Sequence, residues 1–225
     1  MIDFDHTIGY FKQFIYIVNI VETQYTRKLD TREYFILINR YHHIFRPKIF
    51  QLFDMIIHHK KDHQFDLFVL YTNNNNKPFV STIIQYIEYY LKLHSLFDKC
   101  IFNQTHTKSF DHLVMTLSTE VSYDTIYCFI DNKKHKYMKN ANLHYIHCEK
   151  YMFEYTVKDI IHQFPFHEFP NIENQILIDY FNVINRNKEK KQKSNSTKKT
   201  AILPRSSFIP SSIQMYSFII DFLQH

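Results

Sequence analysis

The sequence Asp66-Leu67-Phe68-Val69-Leu70-Tyr71 is a short apolar run that stops at Thr72 and the four asparagines after it. A continuous apolar run of this length is typical of a strand buried in a parallel sheet, and the polar stop indicates a loop at its carboxyl end. The segment after Arg46-Pro47 has helical spacing, with apolar residues at Ile49, Phe50, Phe53, Ile56 and Ile57. Helix, strand and loop in this order indicate a repeating β-α pattern.

The same alternation continues along the chain. It predicts a helix at 77–93, a strand at 99–103, a helix near 109–117, a strand at 125–130 that ends at Asp131, and a strand at 143–147. Alternating elements favour an α/β fold, with an open, mostly parallel sheet covered by helices on both faces. Such sheets bind ligands at the carboxyl ends of their strands.

The first part of the chain is harder to assign. A very short strand-like piece ends in Asp3-Phe4-Asp5-His6-Thr7, and the apolar stretch 11–21 fits a helix or a strand. Residues 34–39 are rich in residues that favour strands. We expect the chain between Thr7 and Arg46 to form a small insertion after the first strand.

Composition narrows the class of protein. The 225 residues are 45% hydrophobic, which suffices for one folded domain, and the single glycine excludes glycine-rich phosphate loops and dinucleotide turns. The abundance of Asn, Ile, Lys, Tyr and Phe is typical of an AT-rich genome, such as that of a large DNA virus or a protist. Three widely spaced cysteines indicate neither a zinc site nor disulfides. With no leader and no membrane-length apolar run, we expect an intracellular protein, cytoplasmic or nuclear, in the host cell if viral.

The positive charge is unevenly distributed. Of the formal net charge of +5, residues 186–199 hold seven Lys or Arg and one Glu, so the remainder is close to neutral. Nucleic acid is therefore not the expected partner. We predict one folded α/β domain at 1–185, a basic flexible linker at 186–212 and a C-terminal amphipathic helix at 213–225. The basic run could also be a nuclear localisation signal or a nucleic-acid contact, and the last helix could dock back, bind a partner or belong to the core.

Polar residues follow several of the predicted strands. They are Asp3, Asp5, Thr72, Asp131 and Asn132, and Lys108 opens a helix between them. Phosphoryl transfer requires such a set: a carboxylate nucleophile, a second carboxyl group, a cation and oxygen ligands for a hard metal. Lys99 is a competing candidate for the cation, but the helix after Lys108, with Phe110 and Leu113, favours Lys108.

These residues carry a family resemblance. Asp3-Phe4-Asp5-His6-Thr7 resembles the D-x-D-x-T signature of the haloacid dehalogenase superfamily, and Thr72, Lys108 and Asp131 follow in the order of its other motifs over about residues 1–185. The chain most resembles the phosphatases related to those acting on the RNA polymerase II C-terminal domain, the NLI-interacting-factor-like group. The segments that carry this likeness are Phe45-Arg46-Pro47, Leu70-Tyr71-Thr72 and Phe129-Ile130-Asp131-Asn132.

The resemblance implies a role for each site residue. Asp3 would be the nucleophile, and Asp5 would act as general acid and then base. Thr72, Asn73 and Lys108 would bind the phosphoryl group. Magnesium would be held by Asp3, Asp5 through its backbone carbonyl, Asp131 and Asn132.

The implied activity is hydrolysis of phosphate monoesters, with phosphoserine or phosphothreonine in a phosphoprotein or phosphopeptide as substrate. Two alternatives remain: a phosphatase for a nucleotide, nucleic-acid end or small metabolite, and a catalytically weak or inactive scaffold with the same fold. The chain departs from the family at His6, where relatives often have Glu, and at Ser109, where they often have Asp. Only Met1 and Ile2 precede Asp3, so either the protein starts upstream or its first strand is unusually short.

Overall fold

The computed structural model describes residues 1–102, 107–122, 124–194 and 209–223. Its strands are β1 (Val69–Thr72), β2 (Lys99–Phe102), β3 (Tyr127–Asp131) and β4 (Leu143–His147). Its helices are α1 (Lys12–Tyr25), α2 (Thr31–Arg40), α3 (Ile49–Lys61), α4 (Lys77–Leu91), α5 (Phe110–Leu117), α6 (Val157–Gln163), α7 (Asn174–Ser194) and α8 (Ile209–Leu223), with a 3₁₀ helix at His42–Ile44. The fold is therefore α/β, as the alternation of patterns predicts.

The chain divides into two compact units. The first contains Met1–Tyr10, Phe45–Tyr151 and α8, and the second contains Phe11–Ile44 and the chain from Met152 through α7. All the strands of the described residues lie in the first unit, together with every residue of the predicted site.

The strands form two parallel pairs. In one pair β1 runs beside β2, with Tyr71 opposite Ile101. In the other, β3 runs beside β4, with Phe129 opposite Tyr145. The predicted strands agree with these elements, although β1 begins three residues later than the apolar run and β3 two residues later than predicted. The last residue of the predicted strand at 99–103, Asn103, lies outside the described residues.

The N-terminal segment joins the two pairs. The Ile2 N–H donates to the Val69 carbonyl at 3.0 Å, and the Asp3 N–H donates to the Ile130 carbonyl at 2.9 Å. Ile2 thus makes parallel bridges to both Leu70 and Ile130. Although the strand-like piece is very short, its backbone is hydrogen-bonded on both sides, and this directs the chain after Ile2 toward the carboxyl ends of β1 and β3.

Helices α3, α4 and α5 confirm the predictions made from apolar spacing. Asn76 caps α4 by accepting from the Phe79 N–H, and Ser109 caps α5 by accepting from the His112 N–H. Such caps satisfy backbone donors that have no partner within the helix, so they fix where the helix begins. Ser109, the residue after Lys108, thereby fixes the start of α5 at Phe110.

The strand propensity of residues 34–39 gave the wrong expectation, because this segment lies in α2. The Asp30 carboxylate accepts from the Glu33 N–H at 2.8 Å, and Glu33 accepts from the Asp30 N–H at 2.9 Å. This capping box starts the helix, and burial of Leu37 and Ile38 on one face stabilises it. The ambiguous stretch 11–21 is likewise helical and forms most of α1.

The end of the chain also differs from expectation. Helix α7 runs to Ser194, so the first part of the predicted linker at 186–212 is helical, while 195–208 lie outside the described residues. Helix α8 begins at Ile209, before the predicted start at 213. Within the described ranges, no helix combines the length and apolar character that crossing a membrane requires.

Candidate active site

The carboxyl ends of the parallel strands bring the predicted residues together. Asp3 follows the bridging residue Ile2, Thr72 is the last residue of β1, and Asp131 is the last residue of β3. All three side chains are buried. Since parallel strands end at the same edge of a sheet, residues that are far apart in sequence meet here.

Lys108 is a buried cation between two carboxylates. Its ammonium hydrogen-bonds directly to Asp3 Oδ1 and lies 2.7 Å from Asp131 Oδ2. The residue is 1% exposed, and its Nζ lies 5.0 Å from the ring centre of Phe129 and 5.5 Å from that of Tyr71. Aromatic walls and two carboxylates hold this charge in place of water.

The competing lysine lies elsewhere. Lys99 donates to the Thr116 carbonyl at 2.8 Å and forms an ion pair with Glu120 at 2.9 Å. Both partners of that pair are partly exposed, so it is a surface interaction. Of the two candidates, Lys108 is the one that contacts carboxylates of the predicted site, namely Asp3 and Asp131.

The two carboxylates on Lys108 differ in their electrostatics. Burial raises the pKa of Asp3 to about 6, although the charge of Lys108 opposes that rise. Burial also acts to raise the pKa of Asp131, but the hydrogen bond from His135 at 3.1 Å and the charge of Lys108 outweigh it, and the net pKa is lowered. Asp131 is therefore ionised at neutral pH, while Asp3 titrates near neutrality.

The Thr7 hydroxyl connects the loop after Asp3 with the loop after β3. Its oxygen accepts from the Asn132 N–H at 3.1 Å and lies 3.4 Å from Asp3 Oδ2 and 3.3 Å from Asn132 Oδ1. Asn132 Nδ2 is buried and has no hydrogen-bond partner among the described residues. The Thr7 hydroxyl thus lies within hydrogen-bonding distance of both Asp3 Oδ2 and the Asn132 amide oxygen.

Asp5 lies beside the loop after β1. Asn74 donates from Nδ2 to Asp5 Oδ2 at 3.0 Å, and its N–H donates to the Thr72 hydroxyl at 3.1 Å. Burial raises the pKa of Asp5, whereas the hydrogen bond from Asn74 and the charge of Lys133 lower it less strongly. The sequence singled out Asn73, which lies between Thr72 and Asn74 and is partly buried.

A second buried cation, Arg46, supports the loop that carries Asp5. Its Nε donates to the Thr7 carbonyl at 2.7 Å, and its Nη2 donates to the carbonyls of His6, at 2.8 Å, and Glu149. The guanidinium also lies 5.7 Å from the ring centre of Tyr151, and the residue is 1% exposed. Arg46 therefore ties the loop after Asp3 to the loop after β4.

The oxygen donors of the site fit a hard cation such as Mg²⁺. No group of three or more His, Cys, Asp or Glu side chains suited to a metal occurs in the described part of the chain. The side-chain oxygens brought together here are those of two carboxylates, Asp3 and Asp131, and the Asn132 amide, and oxygen donors of this kind suit magnesium. With Lys108 as the cation bound to Asp3 and Asp131, a divalent ion would offset the remaining negative charge.

The chain matches no protein-family model, and comparisons with curated proteins and with solved structures find no match.

Four residues of this geometry were not assigned roles from the sequence: Thr7, Asn74, Arg46 and His135. His135 stands four residues after Asp131, but this spacing indicates a contact only within a helix, and here the two residues are joined by the loop after β3. Nothing in the sequence separates Asn74 from its three asparagine neighbours. Arg46 was noted only as part of a motif, because its partners come from distant segments.

Proposed function

We propose that this chain is a magnesium-dependent phosphatase that works through a phospho-aspartyl intermediate on Asp3, with a fold like that of the haloacid dehalogenase superfamily. The observation that carries the proposal is the buried Lys108 ammonium between Asp3 and Asp131 at the carboxyl ends of parallel strands. A nucleophile held by a cation, with a second carboxyl group beside it, is what phosphoryl transfer to a carboxylate requires. The two-sided pairing of Ile2, with Asp3 directly after it, supports the fold assignment.

In the first step, an Asp3 carboxylate oxygen attacks the phosphorus of the monoester. The bond between phosphorus and the ester oxygen breaks, and the leaving oxygen takes a proton from Asp5. The raised pKa of Asp5, caused by burial, favours the protonated form that this role needs. Asn74 holds the carboxyl group in position through its hydrogen bond to Oδ2.

In the second step, water attacks the phosphorus of the aspartyl phosphate. Asp5, now a carboxylate, accepts a proton from the water, and the bond between phosphorus and the Asp3 oxygen breaks. Inorganic phosphate leaves, and the Asp3 carboxylate and the Asp5 carboxyl group are both restored. The same residue thus acts as acid and then as base.

Two further side chains would bind the transferring group. The Thr72 hydroxyl is oriented by the Asn74 N–H and can donate its own hydrogen to a phosphoryl oxygen. Lys108 supplies a positive charge in a site from which water is largely excluded, where such a charge stabilises a transition state most strongly. Magnesium, held by Asp3, Asp131, Asn132 and the Asp5 carbonyl, would supply additional positive charge on the phosphoryl oxygens.

Phosphoserine or phosphothreonine in protein is the substrate we propose. Asp5 is only partly buried, and the asparagines that follow Asn74 are exposed, so the side of the site that faces the leaving group is open. An open approach accommodates a side chain carried on a polypeptide.

The proposal is tested by release of phosphate from para-nitrophenyl phosphate and from phosphopeptides, with and without Mg²⁺. Asp3→Asn should abolish release and Asp5→Asn should lower it by about 100-fold or more, since general acid catalysis typically contributes that much. Asp54→Asn, an exposed position on α3, is the matched control and should have no effect. A folded wild-type protein that binds phosphopeptide without releasing phosphate would instead support the scaffold function.

A further inference from the structure

The loops around the candidate site carry lysines and few acids. From Asn132 through Cys148 the sequence contains four lysines and no Asp or Glu: Lys133, Lys134, Lys136 and Lys139. The segment 73–87, which follows β1, likewise has Lys77 and no acid. All five of these lysines are exposed, as is Glu149, the first acid after β4.

Lys133 is the lysine whose position is best fixed. Its N–H donates to Asp131 Oδ1 at 2.7 Å, and its carbonyl accepts from the Tyr145 hydroxyl. The backbone of Lys133 is therefore held at the end of β3, while its side chain is exposed. Lys133 forms no ion pair within the described residues.

The charge of Lys133 acts on the side of the site where Asp5 lies. Burial and the bond from Asn74 are the larger influences on the pKa of Asp5, and Lys133 then lowers it. Lys133 also helps to lower the pKa of His6, although burial is the main cause there. The backbone contact with Asp131, which also binds Lys108, places Lys133 at the edge of the candidate site, and its exposed side chain is available to a ligand there.

We propose that Lys133 binds a second anionic group of the substrate, so that the site prefers phosphoserine or phosphothreonine flanked by a carboxylate or by a second phosphate. This inference rests on the proposed phosphatase function. Lys108 cannot serve as the second receptor, because Asp3 and Asp131 already occupy it and it is buried. Lys133 is exposed and therefore accessible to a second anion.

An acidic peptide fits this arrangement better than a nucleic acid does. Binding along a phosphate backbone uses an extended basic surface. The basic excess of this chain lies in 186–199, and the rest of the chain is close to neutral. A local group of lysines around a neutral unit suits a short ligand with one additional charge.

The experiment compares three versions of one phosphothreonine peptide, with Gln, Glu or phosphoserine as the flanking residue. Their kcat/KM values are measured for the wild type, Lys133→Ala and Lys133→Glu. Lys61→Ala is the control, because Lys61 is an exposed lysine at the far end of α3, a helix that starts near Arg46 and extends roughly 20 Å. Binding of the same peptides to Asp3→Asn is measured by calorimetry, which detects a preference without turnover.

We expect the wild type and Lys61→Ala to favour the Glu peptide over the Gln peptide by about five-fold, as for one exposed charge pair. That ratio should fall to about one in Lys133→Ala, invert in Lys133→Glu and shrink with added salt. Equal values for the three peptides in the wild type would overturn the inference, as would a ratio that Lys133 variants leave unchanged. Preference for a 5′-phosphorylated oligonucleotide over every peptide would overturn the choice of a peptide.

The calorimetric binding measurement with Asp3→Asn distinguishes failure of the phosphatase function from failure of the proposed role of Lys133. If the wild type releases no phosphate but Asp3→Asn still prefers the acidic peptide through Lys133, then the phosphatase function fails and the ligand class stands. If phosphate is released without any preference, the phosphatase function stands and the role of Lys133 fails.

Discussion

The Lys108 ammonium lies 2.7 Å from Asp131 Oδ2, and the same ammonium hydrogen-bonds to Asp3. This contact joins the residue that precedes the N-cap of α5 to the last residue of β3. Transfer of three charged groups from water into the protein costs several kcal/mol per ion, and their mutual attraction does not reliably exceed that cost. A cluster of this kind is therefore better explained by chemistry than by stability.

Lys108→Met should abolish phosphate release and destabilise the fold by about 3 to 5 kcal/mol, because Asp3 and Asp131 lose their common buried partner. Urea unfolding measures the second effect. Lys99→Met is the control, since its partly exposed pair with Glu120 contributes about 1 kcal/mol or less. Equal destabilisation by the two substitutions would contradict the assignment of Lys108 to the site.

Asn74→Ala should lower kcat by roughly ten-fold, because Asp5 loses the donor that positions it. The hydrogen bond from Asn74 lowers the pKa of Asp5, so its removal raises that pKa further. The limb of the pH–rate profile that Asp5 controls should therefore move to higher pH. Asn75→Ala, at an exposed neighbouring position, should leave both the rate and the profile unchanged. If the pH–rate profile of Asn74→Ala is not shifted, Asn74 has no influence on the titration of Asp5.

Arg46→Lys should destabilise the first unit by about 3 kcal/mol or more. The guanidinium satisfies carbonyls of His6, Thr7 and Glu149 at once, and a single ammonium cannot reproduce this geometry. Denaturant midpoints measure the loss, with Arg40→Lys, at an exposed position of α2, as the control. A stable, fully active Arg46→Lys protein would show that the hydrogen bonds of the Arg46 guanidinium to these carbonyls are not required for the fold.

His6 should make stability sensitive to acid. Its pKa is lowered from 6.5 to about 4, mainly by burial, and its Nδ1 lies 2.8 Å from the Tyr151 carbonyl. The unfolded chain therefore binds a proton at higher pH than the folded chain, and this contribution to stability is lost as pH falls from 6.5 toward 4. His6→Asn tolerates the left-handed backbone at φ 64 and removes the titrating ring.

The measurement for His6 is the difference in unfolding free energy between pH 7 and pH 5. Wild type should lose more stability over this interval than His6→Asn does. Other titrating groups are common to both proteins and largely cancel in the comparison. Parallel pH dependence of the two proteins would rule out the half-buried, neutral state of His6.

Strands and helices with a clear apolar pattern could be predicted from sequence, as α3, α4 and β4 illustrate. The failure at 34–39 has a physical cause. Strand propensity reflects side-chain packing on a sheet, and here a capping box at Asp30 and Glu33 and a buried helical face outweigh it. Asp30 and Glu33 have the spacing of a capping box in the sequence, so the start of α2 could have been predicted from them.

The site was less predictable than the strands. The meeting of Asp3, Thr72 and Asp131 could be predicted because the ends of parallel strands meet, and Lys108 was chosen because a helix with Phe110 and Leu113 follows it. The role of Asn74 depends on the turn after β1, since four consecutive asparagines look alike in sequence. Arg46 resembles any surface arginine until the carbonyls of three separate loop residues are brought around it.

The most direct test of the central claim is to locate the phosphoryl group on the enzyme. The protein is mixed with phosphopeptide and Mg²⁺, quenched in acid within the first turnover and analysed by peptide mass spectrometry. The account predicts one added phosphoryl group on Asp3, labile to hydroxylamine as an acyl phosphate is, and absent from Asp3→Asn. Phosphate release with no modification of Asp3, or with a phosphoryl group on another residue, would contradict it.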